Sequence, residues 1–130
     1  MKKKMCVILL AVLLLTSLNA LAFDWNQQNV SPGTAYQTSG IEKTGNTGSD
    51  AGVIIIAQTS QWIYRIRKAS DGVFVSNQLR FPTSTGTYSL PYNDDGYGNS
   101  LGRHGYFYKL NVAYYSQASG SGTSMGIFIP

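Results

Sequence analysis

Cysteine, histidine and glutamate each occur once in this chain of 130 residues, as Cys6, His104 and Glu42. Each scarcity removes a class of chemistry. A lone cysteine leaves no intrachain disulfide, so stability has to come from an ordinary core. A lone histidine without cysteine partners lacks the ligand set of a zinc site. As a general base, His104 would need a nucleophile and an orienting acid, and serines are too abundant here for the presence of one to discriminate. Between Gly102 and Gly105 it reads as a polar residue opening a strand. A lone glutamate is a poor start for a glycosidase, which sets two carboxylates roughly 5–10 Å apart across a cleft. Asp94 and Asp95 are adjacent, an arrangement unsuited to two opposed roles. The expectation is a non-enzymatic protein with no catalytic, cofactor-binding or metal-binding residue.

Long hydrophobic runs are equally scarce. The long one spans residues 5–15, behind Lys2, Lys3 and Lys4. It fades through Thr16, Ser17 and Asn19 and ends at Ala20-Leu21-Ala22, a small-x-small site. This is the layout of a bacterial secretory signal peptide cleaved before Phe23. Cys6 lies near the start of the run, whereas a lipid-anchoring cysteine would stand at the cleavage site. Beyond the signal the longest apolar run is 53–57, far short of the about 20 residues that a spanning helix needs. The expected location is extracellular, with no transmembrane segment after cleavage. Charge divides the same way. Ten Lys and Arg stand against six Asp and Glu, a formal +4. Three of the ten lie in the signal, so the remainder carries seven against six, or +1. A nearly neutral domain has little electrostatic attraction for nucleic acid.

Cleavage leaves 108 residues, one domain's worth, able to bury roughly 65% of its unfolded surface. Residues 23–51 are rich in Gln, Asn, Ser, Thr and Gly and read as mostly irregular, with Phe23, Trp25, Val30 and Tyr36 as anchors and a short strand over 34–39. From 52 to 130 strand signals follow one another. Val53-Ile54-Ile55-Ile56 is β-branched and continuous, as in a strand buried on both faces. Residues 61–68 alternate, with Trp62, Tyr64 and Ile66 on one side and Ile63, Arg65 and Arg67 on the other. Ser70-Asp71-Gly72 is a turn signature. Residues 85–90 form a short candidate strand, and 91–100 a long loop. The clearest alternation is 106–115, with Leu110 expected in the core. Ser119-Gly120-Ser121-Gly122 makes the last turn. In the final strand, 123–129, Met125, Ile127 and Ile129 alternate with Ser124, Gly126 and Phe128. No segment after the signal holds a helical period. The pattern predicts an all-β fold, an antiparallel β-sandwich or small barrel of six to seven strands.

Three groups are candidates for binding. Arg65 and Arg67 share one strand face and, with Lys68, form the one basic cluster. They read as a contact for anionic wall polymer or headgroups, or as the solvated face of an antiparallel sheet. Asn93-Asp94-Asp95-Gly96 offers a few oxygens where calcium takes about six to eight. A turn in which Asn and Asp cap their own backbone is the simpler reading. The aromatics exceed what a core of this size needs. Tyr92 and Tyr97 on the long loop, together with Trp62, suit sugar stacking or a protein interface. The plain alternative is that strand tyrosines simply cover a sheet.

The Lys-rich signal, the disulfide-free remainder, the Tyr-rich strand 106–115 and the Ser/Gly hairpin 119–122 leading to a terminal strand with Phe128 form a recognisable layout. It resembles small exported β-proteins of Gram-positive bacteria, including the lactococcin-type β-sandwich bacteriocins. The resemblance covers the C-terminal quarter and carries no functional residue across. It implies an exported β-sandwich acting in competition between bacteria. The expected function is therefore surface binding to a partner protein, to itself or to the cell envelope. The second expectation is a carbohydrate-binding module using loop aromatics.

Overall fold

The computed structural model describes residues 23–59 and 61–130; the expected signal peptide, 1–22, lies outside the described residues. Nine strands form among the described residues: β1 (Trp25–Val30), β2 (Ala35–Gln37), β3 (Ile41–Glu42), β4 (Ala51–Gln58), β5 (Trp62–Lys68), β6 (Leu79–Arg80), β7 (Gly86–Leu90), β8 (Phe107–Tyr114) and β9 (Gly122–Ile129). No helix appears among them, and so none long and apolar enough to cross a membrane. Sheet I has the order β1-β9-β4-β7. Sheet II has the order β2-β8-β5-β6, with β3 also pairing with β8. Every pairing is antiparallel. The two sheets do not close into a barrel, and their inner faces share one core.

Period-two alternation builds that core. In β5, Trp62, Tyr64 and Ile66 are buried; in β8, Tyr108, Leu110, Val112 and Tyr114 are. The register sets Tyr64 opposite Val112 and Ile66 opposite Leu110, so these side chains pack as cross-strand pairs. Sheet I answers with Trp25, Val53, Ile55 and Phe128. Trp25 is the contribution of the polar segment 23–51, which is irregular over most of its length yet supplies β1, β2 and β3. Burying one such aromatic removes about 150–250 Å² from water, worth roughly 4–6 kcal/mol as an upper bound.

Trp25 also explains the phase of β9. It lies opposite Gly126, where a Cβ would collide with the indole and with the Ile54 carbonyl. The Trp25 Nε1–H donates to Ser124 Oγ at 2.9 Å, and that hydroxyl lies 2.8 Å from Tyr64 Oη across the core. Tyr64 Oη–H donates onward to Gln58 Oε1 at 2.9 Å. The small inward residues of β9 thus make room for an indole and satisfy its N–H, while Met125, Ile127 and Ile129 turn outward. The expectation of a β4 buried on both faces is corrected. Val53 and Ile55 are buried on the core side, but Ile54 is only half-buried and Ile56 is 44% exposed, because no layer among the described residues covers the outer face of sheet I.

Candidate interaction surface

The four strands of sheet I contain no Asp, Glu, Lys or Arg. Its outer face carries a cluster built by pairing. Ile54 stands opposite Ile127, Met125 opposite Ala57, and Ile129 opposite Gly52. The register shift between Ile55 and Ala57 places Ile56 at a bulge. Ile56 and Ile129 are 44% and 53% exposed; Ile54, Met125 and Ile127 are half-buried. Around them lie neutral polar residues. Asn26 pairs with Met125 and Thr87 with Ile54, and Ser89 flanks Gly52. An apolar centre with a polar rim is the anatomy of a protein interface.

Sheet II differs in charge and in cover. Arg65, Arg67, Lys68, Arg80 and Lys109 lie in its strands against one acidic residue, Glu42. The expected basic stripe forms, but it is occupied. After the turn at Gly72, the chain returns beside β5 and pairs Phe74 with Arg67. The Phe74 ring takes both guanidiniums at 4.1 Å from its centroid, and the Arg65 Nε–H donates to the Ser76 carbonyl at 2.8 Å. Cation–π contact and hydrogen bonding hold the two arginines to their own fold.

The loop aromatics part company. Trp62 is 1% exposed and stacks on Tyr114 at 5.1 Å, so it presents no face to a ligand and leaves the candidate set. Tyr92 also turns inward, a correction to its expected place on the loop surface. Its ring packs edge-on to Tyr108 at 5.0 Å, over Gly102, where a Cβ would collide with it. Tyr92 Oη is buried without a partner, and burial raises its pKa above the ordinary tyrosine range, with the neighbouring Tyr108 adding to the shift. The fully buried Lys43 lies beside it, Nζ 4.9 Å from the ring centroid, donating to the Ser49 carbonyl and hydroxyl at 2.9 Å. Desolvation lowers the Lys43 pKa, and the nearby Asp50 partly offsets this. Tyr97 alone stands out, 90% exposed.

Asp95 explains the loop's shape. Its carboxylate accepts the backbone N–H of Tyr97 at 2.8 Å and of Asn99 at 3.2 Å, and the Asn99 side-chain amide at 3.0 Å. The Tyr97 bond first, then that from the Asn99 side chain, holds its pKa below the usual carboxylate range. The acidic oxygens thus serve the turn itself. The spacing Gly98-x-Ser100-x-Gly102 is that of a nucleophile elbow, but no helix follows it and Ser100 Oγ accepts the Gly102 N–H at 3.1 Å. His104 Nδ1 lies 3.2 Å from the Gly45 carbonyl oxygen, and Glu42 sits exposed on β3. Among the described residues no hydrogen bond joins Ser100, His104 and a carboxylate.

The outer row of sheet I was not singled out as a site. Its signal was present in the alternation of 123–129, where one parity holds Met125, Ile127 and Ile129 and the other serine and glycine before Phe128. Assigning the apolar parity to the surface required knowing where Trp25 goes. No protein-family model, curated protein or solved structure matches the chain.

Proposed function

We propose that this is a non-enzymatic exported β-protein that works by surface contact, and that the outer face of sheet I is the contact surface. The observation that carries the reading is the outward cluster of Ile54, Ile56, Met125, Ile127 and Ile129 on a sheet whose strands have no charge. Scattered exposed apolar residues are ordinary; a contiguous group with a polar rim is not. Export rests on the signal-like segment 1–22. A role in bacterial competition, as the resemblance to β-sandwich bacteriocins implies, would use the same surface. The arginines of β5 are held by Phe74, which counts against offering that stripe to nucleic acid.

The test sets a lysine on each face. Ile127→Lys should abolish binding to isolated bacterial envelopes or to a second copy, whichever the native protein shows. Ala113→Lys, on the outer face of sheet II, should leave it unchanged. Equal behaviour of the two variants in both assays would overturn the reading. A second reading, glycan binding, has one specific support: Tyr97 is 90% exposed on a loop fixed by Asp95. Loss of glycan-array binding in Tyr97→Ala would favour it.

A further inference from the structure

We infer that the occupant of the outer face of sheet I is the same face of a second copy of this chain. This rests on the surface-contact reading above and adds the identity of the partner. Three observations select a like partner. First, the strands of the face carry no charge, and the carboxylates at its border, Asp50 and Asp24, are tied to the Ser89 hydroxyl and the Phe128 N–H, whereas sheet II on sheet II would oppose Arg65, Arg67 and Lys109 to themselves. A two-fold contact requires such self-complementarity. Second, the face lacks the basic and tryptophan fringe with which amphipathic surfaces settle on lipid. Its rim is Asn26, Thr87, Ser89 and Thr123, which suits a wet protein rim. Third, one edge of the sheet is blunted. β1 carries an irregularity between Gln27 and Val30, with Asn29 at φ 52°. Extension from that edge is disfavoured, which favours the face.

The size of the face sets the expected strength. Strands of 6, 8, 8 and 5 residues, at about 3.4 Å per residue in rows about 4.8 Å apart, present roughly 440 Å² in projection. Stable interfaces bury about 800 Å² of accessible surface per partner. The contact falls below that class, in the size range of weak, transient association. The dimer should therefore be reversible, with a Kd in the roughly micromolar range.

Sedimentation velocity of the purified protein between about 1 and 500 µM tests this, spanning the expected Kd on both sides. The expected result is a dimer that grows with concentration. Ile127→Lys and Ile129→Lys should each raise Kd by about tenfold or more, as for an interface anchor, and Ala113→Lys should leave it unchanged. Ile129 is half-exposed at a strand end, so its variant keeps the test open should Ile127→Lys misfold. A protein monomeric throughout, or a dimer weakened equally by Ala113→Lys, overturns the inference. Should the monomer sediment with phosphatidylcholine–phosphatidylglycerol vesicles and Ile127→Lys not do so, the inference falls while the surface-contact reading survives. Should neither association occur nor respond to Ile127→Lys, both fall.

Discussion

The two sheets share one core and differ in what they do with their other faces. Sheet II is covered on the outside along β5: Phe74 lies against Arg65 and Arg67, and the Ser76 carbonyl takes an arginine proton, while Phe107 at the start of β8 stays 51% exposed. Sheet I is left bare, with isoleucines where a solvated antiparallel sheet carries polar residues. A folded chain gains nothing from an uncovered apolar face, and an exposed apolar cluster is a solubility liability. The contrast teaches that charge pattern and cover together mark a working surface. The most basic strand of this protein, β5, is the one whose charges are already engaged.

The comparison can be broken most forcefully through inside-against-outside pairs. Leu110→Asp buries an unpaired carboxylate between the sheets, costing several kcal/mol of a total of about 5–15 kcal/mol. That variant should fail to fold. Asn111→Asp, one residue along on the outer face and opposite Arg65, should change stability by less than about 0.5 kcal/mol. Equal circular-dichroism melts would mean that the two faces of β8 are misassigned. Trp62→Ala should cost about 3–5 kcal/mol as a core deletion, against less than about 0.5 kcal/mol for Tyr97→Ala. A Trp62 variant as stable as the Tyr97 variant would return Trp62 to the surface.

Within sheet I, Gly126→Ala drives a methyl into Trp25 and the Ile54 carbonyl, while Gly52→Ala meets Ile129 at an ordinary 3.6 Å. Overpacking of that kind costs about 1–3 kcal/mol, so denaturant melts should rank Gly126→Ala clearly below Gly52→Ala. The reverse order would contradict the account of why β9 faces as it does.

Titration gives the smallest effects. Burial raises the pKa of Tyr64 and Tyr92 from the ordinary 10.0. A raised folded value means that their contribution is full below pH 10 and lost as pH rises through the folded values. Lys43 acts oppositely. Its lowered pKa means the folded chain binds fewer protons than the unfolded one up to 10.5, so stability gains as pH rises toward that value. Tm should therefore fall above about pH 10, where two tyrosines outweigh one lysine. Tyr92→Phe should soften the fall, and an unchanged alkaline limb would show that ring to be solvated. Asp95, held low, contributes above its ordinary 3.8 and loses that contribution in acid, an effect to be read at the amides of Tyr97 and Asn99.

Much of the fold was legible because alternation is a local signal. The inward set of β5 and β8, Leu110 included, follows directly from period two. The absence of a sustained helical period was equally readable. Three things were not local. β1 reads as polar apart from Trp25 and Val30, and only its pairing with β9 makes it a strand. The cover on Arg65 and Arg67 arrives from Phe74, across a hairpin. The inward turn of Tyr92 depends on Gly102, ten positions away, leaving space for its ring. Of the candidate site, Tyr97 stands where the loop reading put it. The isoleucine face was hidden because Val53 to Ile56 reads the same whether one face is covered or two. Which of those cases holds depends on where the rest of the chain goes, and no short-range pattern records that.

The most direct measurement is the concentration dependence of the isoleucine methyl resonances. The account predicts that Ile54, Ile56, Ile127 and Ile129 shift together as the protein is concentrated, while Ile41, Ile63 and Ile66 of sheet II stay fixed. Shifts centred on sheet II, or none on sheet I at any concentration, would contradict it.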